Sequence, residues 1–116
     1  MTQWVAEAKV VFVQPDGSRV AGRIAVAAPV VREADCACEV AMEGLERSFV
    51  IYGDSTLQAL LLGVRFLGHR LHDHRSRGVR IEMDGDDDDA VDRDDVVEAL
   101  FGPLLRAAST DVGGSI

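Results

Sequence analysis

Between Ser55 and His72 the chain spaces apolar residues at helical intervals, and no other stretch restricts the possible folds so tightly. Leu57, Leu60, Leu61, Val64, Leu67 and Leu71 recur at steps of three and four, which lines them up as one stripe of an amphipathic helix. Just ahead, Ser55-x-x-Gln58 has the spacing of a capping box, in which a hydroxyl and an amide side chain satisfy backbone N–H groups that have no partner inside the helix. The pattern predicts a helix from Leu57 to about His72, lying across a sheet. Ala59, Leu62, Gly63 and Phe66 widen the apolar sector beyond what one sheet contact needs, so a second cover is expected, either the C-terminal segment or a partner. The unbroken apolar run is well short of the roughly 20 residues that cross a bilayer, and Arg65 interrupts its surroundings, so a membrane span is excluded.

The residues before this helix read as two hairpins. Residues 4–13 are rich in valine and predict a strand; Gln14-Pro15-Asp16-Gly17-Ser18 supplies turn chemistry; residues 19–27 return, and Pro29 ends the return strand because it cannot donate to a ladder. Cys36, Cys38, Val40 and Met42 then alternate with Ala37, Glu39 and Ala41, as in a half-buried strand, with Gly44 in the turn and 47–52 as the partner. After the helix, Val79, Ile81 and Met83 alternate with Arg80 and Glu82, predicting a short strand that extends the sheet or pairs in another protomer. Residues 84–95 form an acidic loop, and Val96, Val97, Leu100, Phe101 and Leu104 give a short helix interrupted by Gly102-Pro103. The expected architecture is α+β: a four- to five-stranded antiparallel sheet, one long helix packed on a face and a short C-terminal helix. It forms a single domain over 1–106, with 107–116 as a flexible tail.

A chain of 116 residues has room for one modest core. Two cysteines cannot build a disulfide framework, and MTQWVAEAKV lacks a basic start, a long apolar core and a cleavage site, so a cytoplasmic protein is expected. The net charge of -8 argues against nucleic acid as a partner, since phosphate neutralisation needs a clustered basic surface. That charge is unevenly placed. Residues 1–81 hold 10 Lys+Arg against 9 Asp+Glu, whereas residues 82–116 hold 2 against 11. Immediately before the acidic part, Arg65, Arg70, Arg75, Arg77 and Arg80 with His69, His72 and His74 make a basic stretch, whose simplest role is to pair with the acidic segment within the chain or across a dimer.

Several constellations have residue types that could carry chemistry. Asp84-x-Asp86-x-Asp88 with Asp95 approximates EF-hand ligand spacing, but Asp89 stands where the loop needs glycine and Asp95 where it needs glutamate. It reads as a solvated charge run, with weak divalent-cation binding as the alternative. His69, His72 and Asp73 share a helical face without a matching ligand motif nearby, and read as surface residues at a helix C-terminus. Cys36-x-Cys38 lacks the Cys-x-x-Cys spacing and helix start of redox pairs, and reads as two small buried side chains. No nucleophile elbow or glycine-rich phosphate loop occurs, so the sequence indicates no enzyme, cofactor or metal.

The run from Tyr52-Gly53-Asp54-Ser55 through Gln58-Ala59-Leu60, together with Cys38, Gly44 and Gly68, resembles the signature of a family of small uncharacterised bacterial proteins classed as a domain of unknown function. The resemblance spans about residues 36–72 and implies a fold, not an activity; the aspartate-rich continuation departs from the family pattern. The leading functional expectation is a non-catalytic cytoplasmic protein-binding domain, similar in size and charge to a toxin-neutralising immunity protein. Leu62, Phe66 and Arg70 would supply the helix contact, and Asp86, Asp87 and Asp88 the acidic steering. A self-associating homodimer is the alternative.

Overall fold

A computed structural model describes residues 3–84. The expected α+β architecture is present: an antiparallel sheet carrying one long helix on a face. The strands are β1 (Trp4–Val13), β2 (Arg19–Ala27), β3 (Val30–Val31), β4 (Cys36–Glu43), β5 (Phe49–Gly53) and β6 (Arg80–Met83), with α1 (Thr56–Ser76) between the last two. The expected C-terminal helix, the acidic loop beyond Asp84 and the tail lie outside the described residues.

β2 and β3 are two pieces of one interrupted strand. Cys36 pairs with Val31 of β3 and with Gly53 of β5, while Val40 pairs with Val26 of β2 and with Phe49 of β5, so β2 and β3 share one edge of β4 and β5 takes the other. Pro29 falls in the gap. The sheet is therefore five strands wide, in the order β5-β4-β2/β3-β1-β6, and the 80–83 strand pairs with β1 of its own chain. At the far end of β1 a bulge between Trp4 and Ala6 leaves Val5 as an extra residue in the ladder.

Because every pairing is antiparallel, β5 and β6 run parallel to each other at opposite edges. Four strand spacings separate them, about 19 Å at roughly 4.8 Å each. A helix of 21 residues is about 31 Å long, enough to make that traverse diagonally. Its start is capped as expected: Ser55 Oγ accepts from the Gln58 N–H at 3.0 Å. The Gln58 side chain reaches one residue further back than the reciprocal box, accepting from the Asp54 N–H at 2.5 Å. The helix runs four residues past His72 and closes on Gly78, whose φ of +98° gives the left-handed turn that glycine tolerates best. The Gly78 N–H bonds to Arg75 O and the Val79 N–H to His74 O, which satisfies two terminal carbonyls and turns the buried Val79 into the core.

The helix meets the sheet on a line different from the leucine stripe. Its buried residues are Ala59, Gly63, Leu67, Gly68 and Leu71, whereas Leu57 and Leu61 are 64% and 49% exposed. Leu60 and Val64 are half-buried flanks. The reason is the distance of approach. A Cβ at Gly63 would stand 3.0 Å from Val40 Cγ1 and 3.4 Å from Cys38 Sγ, so leucine at this level could not fit. Small residues face β4 at the start of the helix, and larger ones, Leu67 and Leu71, follow where there is room. They join Val10, Phe12, Ile24, Val26, Cys38, Val40, Met42, Val79 and Ile81 in one core cluster.

This orientation makes a direct stability prediction. Leu67→Ala should cost about 2–5 kcal/mol as a buried large-to-small change. Leu61→Ala should cost no more than about 0.5 kcal/mol, as an exposed substitution away from packing or capping features. Gly63→Val should cost about 1–3 kcal/mol by overpacking against Val40. Urea denaturation of the three variants checks the order; equal losses at Leu61 and Leu67 would restore the leucine stripe as the buried face.

Candidate functional site

One face of the sheet is covered by α1; on the other, no element among the described residues packs. Its middle is paved with alanines, and Ala25, Ala27, Ala37 and Ala41 are all buried. Ala25 pairs with Ala41, Ala27 with Trp4, and Ala37 with Tyr52 on one side and Val30 on the other. Around this floor the charged side chains pair with one another: Arg23 reaches Glu7 at 3.0 Å and Glu43 at 2.6 Å, and Glu82 takes Arg19 at 3.0 Å and Arg80 at 3.4 Å. Exposed ion pairs contribute little stability, at most about 1 kcal/mol each, but they hold long side chains flat along the strands.

Toward the β3–β5 end the face sinks into an open hollow of about 430 Å³, floored by Ala27, Ala28 and Ala37 and walled by Val30, Val50, Glu39 and Gln3. Val50 and Tyr52 stand 46% and 50% exposed on its rim, with Val30 and Val31 also exposed. The guanidinium of Arg32 lies 5.0 Å from the centre of the Tyr52 ring, and its Nε is 3.1 Å from Asp35 Oδ1. That buried oxygen has no hydrogen bond in the structure, so the Arg32 contact is its electrostatic compensation.

The residues named from sequence as a contact surface sit elsewhere, on the helix flank above β5. Phe66 packs edge-on against Phe49, with ring centres 4.9 Å apart, and is half-buried; Leu62, one turn earlier on the same flank, is also half-buried. Arg70 and His74 both bind Glu46 in the β4–β5 turn: Arg70 Nε donates to Oε2 at 3.1 Å and its Nη2 to Oε1, while His74 Nε2 lies 2.6 Å from Oε2. Arg47 places its guanidinium 4.8 Å from the Phe49 ring. Asp86, Asp87 and Asp88 lie outside the described residues.

Part of the basic stretch finds acids within the described residues. Glu46 meets Arg70 and His74, and Asp73 meets Arg77 one turn on, so none of these three needs the acidic segment. Among the described residues no group of three or more His, Cys, Asp or Glu could hold a metal ion, and His69 and His72 are exposed. Cys36 and Cys38 are free and buried; the Cys38 thiol donates to Ala27 O at 3.4 Å, and burial pushes its pKa up, which keeps it protonated and suits a packing role.

Two features escaped the sequence reading. The Glu46 clip left a trace, since Arg70 and His74 are four apart on the flank that carries Phe66, but nothing local points to an acid more than twenty residues upstream. The open hollow left none, because alanine at alternating strand positions looks the same on a covered face and on a bare one.

Burial raises the Glu46 carboxyl, but the hydrogen bonds from Arg70 and His74 outweigh it and hold the group below its ordinary 4.5. A carboxyl depressed in the folded state adds stability above its unfolded pKa and loses it as the pH falls through the folded value. Glu46→Gln should therefore be less stable than the parent at pH 7, and the gap should close in acid below that value. Denaturant titrations at both pH values check the sign; a gap that persists in acid would mean the carboxylate charge is not what the clip uses. Comparison of this chain with protein-family models, with curated proteins and with solved structures gave no match.

Proposed function

We propose that this chain is a non-catalytic protein-binding domain whose docking surface is the open sheet face, where the alanine-floored hollow receives an apolar side chain of a basic partner. The observation that carries the reading is the grouping of Val30, Val50 and Tyr52, all exposed, around a hollow large enough for a bulky side chain. Apolar residues gathered round a concavity are the pattern of an interface centre, unlike apolar residues scattered singly over a surface. A net charge of -8 supplies long-range attraction for a positively charged partner, and Glu39 stands on the wall of the hollow. This is the immunity-protein-like reading moved from the helix flank to the opposite face of the sheet. It is compatible with a cytoplasmic setting and with the family resemblance over residues 36–72, which carries no activity of its own. The described helix is not long and apolar enough to cross a membrane.

Ala28 lies between β2 and β3, exposed and on the hollow floor, so a large side chain there fills the hollow without entering the core. Affinity capture from the source cell with the parent protein and with Ala28→Trp, followed by titration of each captured protein against both purified forms, tests the assignment. A partner that binds the parent and loses about tenfold or more in affinity for Ala28→Trp, or roughly 1.4 kcal/mol, is expected. A partner that binds both forms equally would overturn it.

A further inference from the structure

The β5 edge of the sheet is built to pair with itself. Its five residues, Phe49–Gly53, carry no charge and no proline, and no described strand pairs with their outer side. The opposite edge is guarded: β6 holds Arg80 and Glu82, and the part of β1 that β6 leaves uncovered holds Glu7 and Lys9. Charged side chains are a common protection of a sheet edge against a neighbouring strand, and β5 itself holds none; the guanidiniums near it, Arg32 and Arg47, are laid over its Tyr52 and Phe49 rings.

We propose that the occupant of this edge is a second copy of the chain, paired antiparallel about Ile51 to form a two-fold dimer with one continuous ten-stranded sheet. In that register Val50 faces the partner's Tyr52, both exposed in one copy, and Phe49 lies opposite the partner's Gly53. Charge supports the same orientation. Arg47 precedes the strand and Asp54 follows it, both exposed, so antiparallel self-pairing about Ile51 sets Arg47 opposite the partner's Ser55, one residue from the partner's Asp54 and within reach of a long side chain, twice by symmetry. A parallel pairing would set like against like.

The helix layer fits too. α1 runs over β4 and β5: Gly63 approaches Cys38 and Val40 of β4, and Phe66 meets Phe49 of β5. The direction from Gly63 to Phe66 therefore points outboard, and Leu62 lies on that outer flank. With strands about 4.8 Å apart, two helices seated this way stand roughly 10 Å from each other across the seam, the spacing of packed helices. The two-fold passes near the level of Gly63, so Leu62 of one copy faces Leu62 of the other. The half-buried state of Leu62 is thereby completed by the same contact that pairs the strands.

The test is sedimentation or light scattering over a micromolar concentration series on the full chain, with circular dichroism to confirm folding. The parent should dimerise. Val50→Lys, on an exposed position, should raise the dimer dissociation constant about tenfold or more by placing a charge on the edge. Arg47→Glu and Asp54→Arg should each weaken the dimer, and the double reversal should restore it to within about threefold of the parent, since it re-forms the pair with signs exchanged. A parent that stays monomeric, a dimer indifferent to Val50→Lys, or a double reversal as weak as its single members would each overturn the proposal. Val50 also walls the hollow, so dimerisation and partner capture are separated by Arg47 and Asp54, which do not line it, and by Ala28→Trp, which leaves the β5 edge unchanged.

Discussion

The close seat of α1 on the sheet, where Ala59 approaches Gly53 of β5 and Gly63 approaches Cys38 and Val40 of β4, governs the rest of the molecule. Bringing the helix axis down onto Cys38 and Val40 requires small side chains there, and this sets the rotation of the helix. Once the rotation is set, Leu67 and Leu71 enter the core, Phe66 lands on Phe49, and Arg70 and His74 come within reach of Glu46. Leu57 and Leu61 pay for it with exposure. Dispersion contacts across a tight interface outweigh the transfer energy of two leucines placed where the backbone could not approach as closely.

Charge works locally in this fold. Arg23 is shared by Glu7 and Glu43, Glu82 by Arg19 and Arg80, and Glu46 by Arg70 and His74. In the Glu46 cluster the hydrogen bonds from Arg70 and His74 shift the carboxyl down against the opposing effect of burial. It ties the β4–β5 turn to the second half of the helix, holding the hairpin under α1 at the end opposite the Ser55 cap. The covered face is thereby clamped at both ends, while among the described residues no element packs on the other face and no strand pairs with the outer side of β5. Surfaces left available by the packing are those on which the binding proposals rest.

Much of the local structure was legible along the chain. Alternation at 36–42 marked β4 and put both cysteines on one side, the turn residues at 14–18 and Gly44 separated the hairpins, and Ser55 with Gln58 marked where α1 begins. The end of the helix was read four residues short, because the histidines and arginines after Leu71 have no apolar periodicity although they continue the helix to Gly78. Hydrophobicity singled out Leu62 and Phe66, yet Phe66 is engaged by Phe49 and Arg70 by Glu46, residues that sequence separation hides.

Local propensity and periodicity determined, from the sequence alone, which segments are strands, where the helix starts and that one face of the sheet must be covered. Only the tertiary structure decided which side of the helix does the covering, which acid answers Arg70 and His74, and which face of the sheet α1 leaves to other contacts. Those choices depend on distances between residues far apart in the chain, and a side chain's neighbours across a layer are set by how closely two backbones can pack, a quantity that no single segment encodes.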